Sequence, residues 1–233
     1  AKKLYIKKEI GLLDIIQAAE KYIFDEIKFE NENNVKGDYC GASGNYCESG
    51  AYASGYNSGA IVQYEESAAY VYGSHSVAYA VDEYSSAQVN GSCSVAIADD
   101  DYSSAQVRGY YSGAYASGDN SGASVIGDYS AASATGKNSA ALAVGKNSAA
   151  SAGKGSLAIA SGVLSRAKGD LGAFIILTEY DENDKITEFG RTYKECFIKD
   201  VKCAKVDGEK IKADTWYILK DGNFVESDEE EDY

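Results

Sequence analysis

The chain has 233 residues and a formal net charge of −14, with no Pro, no Met, 24 Gly, and 20 Tyr against 6 Phe. Apolar residues make up 45% of it, but many are Ala, which does not build a conventional core of Leu, Ile and Phe. A balance this negative repels phosphate backbones and anionic membrane surfaces, so neither nucleic acid nor membrane insertion is expected.

Residues 1–36 read as a small α/β N-terminal cap. Leu12, Ile15, Ile16, Ala19, Tyr22 and Ile23 recur at helical spacing, and short strands are predicted near 4–6 and 27–29. Asp14 interrupts the apolar stretch, so it is not the core of a signal peptide. Nothing approaches the ~20 apolar residues of a membrane span. A protein made in a bacterial cytoplasm without a signal peptide is the expectation.

Residues 37–170 are a run of nine-residue repeats. Counted from Gly37, the fourth position is Cys40 and then Ser in every later copy, from Ser49 to Ser165, with a one-residue deletion near Gly153. The sixth position is Ala throughout, from Ala42 to Ala167, and the eighth is Ala or Val except in the first and last copies. Positions 4, 6 and 8 alternate with 5 and 7, which is strand geometry. The restricted positions are all small, so they should line a very thin interior, and positions 9, 1, 2 and 3 should form a corner. Gly at position 1 points to a backbone shape that a Cβ would forbid.

Gly occupies position 1 only in alternate copies over Gly37, Gly55, Gly73, Gly91 and Gly109, while position 8 alternates over Val71, Ala80, Val89, Ala98, Val107 and Ala116. The true period is therefore eighteen residues. The predicted fold is all-β: a parallel β-solenoid with two strands per 18-residue coil, about seven coils and roughly 35 Å long at ~4.8 Å per strand. The interior Ser hydroxyls need partners, either along their column or on backbone carbonyls.

Residues 171–226 read as a β-rich C-terminal domain. LGAFIILTEY is a strand, and VDGEKI and YILKDGNFVE each carry the Asp-Gly signal of a hairpin. Residues 227–233 form an acidic tail, expected to be solvated. The five cysteines, Cys40, Cys47, Cys93, Cys196 and Cys203, are odd in number and match no zinc spacing, so reduced thiols are expected.

No catalytic constellation emerges. His75 is the only histidine and falls on an exposed corner, so a triad or a His-based metal site lacks partners. Asp99, Asp100 and Asp101 cluster at one corner, but calcium-binding nonapeptide rolls need Asp where this chain has Ala, so a solvated, metal-free corner is expected. No cofactor and no enzymatic activity are predicted. Ice binding is disfavoured because regular Thr ranks are missing.

The outward residues divide between two sides. One carries Ile61, Val77, Tyr79, Val95, Ile97, Tyr111 and Tyr115, an apolar set that marks a candidate oligomer interface, with a homotrimer favoured. The other carries Tyr52, Tyr70, Tyr84, Tyr102, Gln88 and Gln106, a candidate ligand face. Aromatic ladders also arise because identical neighbours pack well on a sheet, so a ligand and simple packing both account for them.

The segment GKNSAALAVGKNSAASAGKGSLAIASG resembles the head repeats of trimeric autotransporter adhesins, though those are not strict nonapeptides and no autotransporter anchor is expected. The tandem SAASATG-type nonapeptides, followed by AKGDLGAFIILTEY and VKCAKVDGEKIKADTWYILKDG, more closely resemble nonapeptide-repeat proteins of gut bacteria and their phages, over about residues 37–226. That resemblance implies a phage or prophage setting and association with a virion, and it transfers no functional residues. The expected function is a structural and binding module, a phage-tail or surface-appendage adhesin recognising a glycan or surface protein. The alternative is a purely structural oligomerisation or decoration protein without a ligand.

Overall fold

The computed structural model describes residues 28–30, 34–37, 40–44, 50–181, 185–188, 191–194 and 197–227. The helix expected over the N-terminal stripe, the strand near 4–6 and most of the acidic tail lie outside the described residues. Within them the chain is an all-β parallel solenoid of about eight turns of about 18 residues, built from two sheets, and no helix is present.

Strands alternate between the sheets. The first sheet stacks Gly59–Val62, Val77–Ala80, Val95–Ala98, Gly113–Ala116, Ala131–Ala134 and Ala149–Ala152 in parallel. The second stacks Gly50–Ser54, Ala68–Tyr72, Ser86–Asn90, Ser104–Arg108, Gly122–Ile126 and Ala140–Val144. The register is eighteen residues, as in Ala78↔Ala96 and Ala96↔Ala114, and drops by one where the deletion falls, as in Ala149↔Arg166. The stacking reaches past the repeats: Lys28–Glu30 and Asn34–Lys36 form a turn before Gly37, and Phe174–Asp181 continues the second sheet.

Positions 6 and 8 are buried, with Val62, Val71, Val89, Val107 and Val125 the larger members. From Val71 onward the second sheet carries Val71, Val89, Val107 and Val125 while the first carries Ala80, Ala98, Ala116 and Ala134, which keeps the narrow interior evenly filled. Position 4 holds fully buried serines at the start of each strand. From Ser58 to Ser139 each serine's backbone N–H donates to the hydroxyl of the serine one coil on, whereas Ser156 and Ser165 donate to the carbonyls of Gly153 and Gly162. Ser76 N–H donates to Ser94 Oγ at 3.0 Å, and Ser94 N–H donates to Ser112 Oγ at 3.2 Å. The hydroxyl in turn donates to a carbonyl, as from Ser94 to Ser92 at 3.0 Å or Ser148 to Gly127 at 2.8 Å. Both expected kinds of partner are therefore used, and a buried polar column stays satisfied.

The glycines at position 1 serve close approach. A Cβ on Gly109 would lie 2.1 Å from the carbonyl oxygen of Gly91, and one on Gly91 would lie 1.9 Å from that of Gly73. The left-handed residue of each corner is at position 3 and is rarely Gly: Asn57, His75, Tyr84, Tyr102, Tyr111 and Asn120 have φ between 54° and 58°. That conformation is held by the ladder, since Tyr84 N–H reaches Asp101 O at 3.2 Å and Tyr102 N–H reaches Asp119 O at 3.0 Å.

The C-terminal strands plug the narrow core. Ile175, Leu177, Val206, Ile211, Tyr217 and Leu219 are buried where the Ala columns end. Phe197–Lys205 pairs antiparallel with Phe174–Asp181, and Tyr217–Lys220 joins the first sheet through Ala167↔Tyr217. YILKDGNFVE forms the expected hairpin, with Asp221 and Gly222 at φ 48° and 68°. VDGEKI does not. Asp207 Oδ1 accepts the N–H groups of Glu209, Lys210 and Ile211 at 2.9–3.0 Å, which closes a local turn in place of cross-strand pairing. Those same bonds, the one from Ile211 foremost, hold the Asp207 carboxyl below its ordinary range.

Two substitutions check this interior. Ser94→Ala removes the acceptor of Ser76 N–H and is expected to destabilise by about 1–3 kcal/mol in urea denaturation. Ala96→Leu enlarges a residue with no exposed surface and is expected to lose about 1–3 kcal/mol by overpacking. A parent-like midpoint in either variant contradicts the corresponding assignment.

Candidate functional site

The eighteen-residue register places like side chains one strand spacing apart, and the tyrosines stack accordingly. Tyr84 and Tyr102 have ring centroids 5.1 Å apart and planes within 8°, as do Tyr111 and Tyr129. Tyr52 and Tyr70 stack at 5.4 Å and 8°. The first two pairs belong to position 3, on opposite corners of the coil, where the left-handed backbone turns the ring outward. Tyr84, Tyr102 and Tyr111 are 57%, 53% and 64% exposed.

The candidate ligand residues thus separate into two groups. Tyr52, Tyr70, Gln88 and Gln106 share one column on the outer face of the second sheet and are half-buried. Gln88 Nε2 donates to Gln106 Oε1 at 2.7 Å, closing part of that column on itself. Tyr84 and Tyr102 stand beside this face on its corner. Asn57, Asn120, Asn138 and Asn147 at position 3 were the readable sign of a left-handed site there, because Asn tolerates that conformation better than most residues.

The candidate interface residues do not form the open patch expected of them. Ile61, Val77, Val95 and Ile97 point outward from the first sheet, yet all are buried, Ile97 to 1% exposure. Tyr79 and Tyr115 are half-buried, and their hydroxyls meet Asp99 Oδ2 at 2.8 Å and Thr135 Oγ1 at 3.4 Å. Tyr111 sits on a corner, away from the flat face.

The acidic corner is tied to the protein. Asp99 also accepts Ser117 Oγ–H at 2.7 Å, Asp100 accepts the Asp101 N–H at 2.9 Å, and Asp101 accepts the Asp119 N–H at 2.7 Å. Among the described residues no three His, Cys, Asp or Glu side chains converge as metal ligands would. His75 is exposed with its ring against Tyr56 at 4.8 Å. Cys93 and Cys203 are exposed free thiols.

A cleft of about 370 Å³ opens between the last coil and the C-terminal hairpin, lined in part by Leu164, Thr178, Tyr180, Lys199 and Leu219. At its wall Lys199 Nζ donates to Glu179 at 2.6 Å, and the N–H groups of Gly222 and Asp221 donate to the same carboxylate at 2.8 and 3.1 Å. The Lys199 bond first, then the Gly222 N–H, holds the Glu179 carboxyl below its usual range. These contacts fasten the hairpin and use up the carboxylate. Nearby, Trp216 lies under Arg166 at 4.8 Å and Lys168 at 5.0 Å, and Lys168 pairs with Asp214 at 2.6 Å.

Comparison with known proteins finds no match: no protein-family model, no curated relative and no solved structure aligns with the chain.

Because Val95 and Ile97 are buried, placing charge there should damage the fold. Val95→Lys combined with Ile97→Lys is expected to lower the melting temperature, read by circular dichroism, since it strands two ammonium groups in an apolar surround. A double variant that melts like the parent shows that this face is open to solvent.

Proposed function

We propose that the protein is a rigid, non-catalytic binding rod that presents stacked tyrosines to a glycan or a surface protein, as part of a phage tail or surface appendage. The observation that carries this reading is the pair of corner ladders, Tyr84 with Tyr102 and Tyr111 with Tyr129, each stacked at 5.1 Å and reached by solvent. An exposed ring held parallel to its neighbour loses little freedom on binding, and aromatic rings offer apolar faces together with a hydroxyl for hydrogen bonding. The solenoid supports the presentation, because its hydrogen-bonded backbone fixes the rings along the rod. The phage setting rests on the resemblance of the repeats alone.

The second reading is a structural or decoration protein with no ligand. The ladders arise wherever Tyr recurs at an eighteen-residue interval, so packing along the column is itself enough to produce them.

A broad glycan array separates the two. Parent protein should bind a defined subset, and Tyr84→Ser with Tyr102→Ser, or Tyr111→Ser with Tyr129→Ser, should weaken that binding by about tenfold or more without moving the melting temperature. Array signal at background for the parent, together with no protein captured from a host surface extract, favours the structural reading.

A further inference from the structure

The two outer faces differ in a way that bears on self-association. On the first sheet the strands Gly59–Val62 and Val95–Ala98 are buried at every residue. No strand of the second sheet is covered like this. Its outer face is instead open and changes character along the rod. At the N-terminal end it carries Tyr52 and Tyr70, and at the C-terminal end Leu142, Leu157, Ile159 and Ile176, with Ile126 45% and Phe174 44% exposed. Flat apolar area of this kind on a regular sheet marks a contact surface.

Charge is segregated along the same corner of the rod, the one that leads into the second sheet. It holds Glu65, Glu66, Asp82 and Glu83 toward the N-terminal end, Lys137 and Lys154 toward the C-terminal end, and Asp170 at the last turn. Level with that acidic stretch the opposite corner holds Tyr56, His75 and Cys93, and its charged residues, Arg108, Asp128 and Lys146, lie farther along the rod.

We propose that two copies of the chain pack through the outer faces of their second sheets, antiparallel, about a twofold axis that runs along the strand direction. The sheet has ten strands, and its midpoint falls between Ser104–Arg108 and Gly122–Ile126. Rotation about that point brings Ala68–Tyr72 over the partner's Leu157–Ser161 strand and Gly50–Ser54 over its Phe174–Asp181 strand. Tyr70 then meets the copy's Ile159, Tyr52 meets Ile176, and Gln88 meets Leu142. The same rotation keeps each charged corner beside its own counterpart with the ends exchanged, so Glu65 and Glu66 approach Lys154, and Asp82 and Glu83 approach Lys137. Each approach occurs twice by symmetry. Asp100, Asp101 and Asp119 gather near the axis, where two of their carboxylates already accept backbone N–H groups at 2.7 Å. A parallel pair would instead set Glu65, Glu66, Asp82 and Glu83 against the stretch of the far corner that holds Tyr56, His75 and Cys93, so charge complementarity selects the antiparallel arrangement. Tyr84 and Tyr102 lie on the corner where the two copies meet, whereas Tyr111 and Tyr129 lie on the far corner and stay open to a ligand in the dimer.

Sedimentation velocity of the full chain tests this. The parent should be a dimer, and Ile159→Lys should be a monomer with the parent's melting temperature, because that side chain is half-exposed and points outward. Lys137→Glu with Lys154→Glu should raise the dimer dissociation constant by about tenfold or more, and adding Glu65→Lys with Glu66→Lys should recover the part of that loss that belongs to position 154, since position 137 still faces Asp82 and Glu83. The charge-exchange series carries the test alone if Ile159→Lys melts below the parent. A monomeric or trimeric parent, or a four-charge variant no tighter than the two-charge one, overturns the proposal.

Discussion

Most strands of the solenoid begin with a buried amide N–H that the serine hydroxyl of the following coil accepts. That bond recurs at every coil from Ser58 to Ser139. An apolar residue at the same place would leave a buried donor unpaired in each coil, and a larger polar residue would not fit beside the Ala columns. The interior is thus built from very small side chains that bury little apolar area each. Backbone ladders and close packing, more than side-chain transfer, hold the stack together.

The same closeness explains the corners. Carbonyl groups of successive coils approach so tightly that a Cβ at Gly73, Gly91 or Gly109 has no room. The left-handed turn is displaced two residues onward, to a position where side chains project freely into solvent. A non-Gly residue there pays a conformational penalty that the inter-coil hydrogen bonds outweigh. Tyrosines at that position consequently form ordered stacks at the edges of the rod, and the exposed aromatic surface sits on the corners more than on the faces.

The two faces depart from one another for reasons visible only once the strands are assembled. On the first sheet, outward Val and Ile are buried and flanked by Tyr79 and Tyr115, whose hydroxyls are held by groups of the next coil. On the second, polar Gln88 and Gln106 occupy the middle of a column whose far end is Leu142, Ile159 and Ile176. A list of outward residues taken from the central repeats describes one face as apolar and the other as polar. The complete columns place the accessible apolar surface on the latter.

Residue order alone determined the repeat unit, the eighteen-residue coil, the two-strand cross-section, which positions turn inward, and the hairpin at Asp221 and Gly222. These follow from local rules: side chains alternate along a strand, only small ones fit a thin interior, and Asp-Gly favours a tight turn. The local turn at Asp207 needed the tertiary structure, because Asp207 had to choose between cross-strand pairing and three nearby N–H donors. So did the role of the position-1 glycines, since the atoms they avoid lie eighteen residues away in the chain. Exposure belonged to the assembled molecule as well. Whether Ile97 or Ile159 meets water depends on what lies across the sheet from it, and no pattern of nearest neighbours in sequence carries that information.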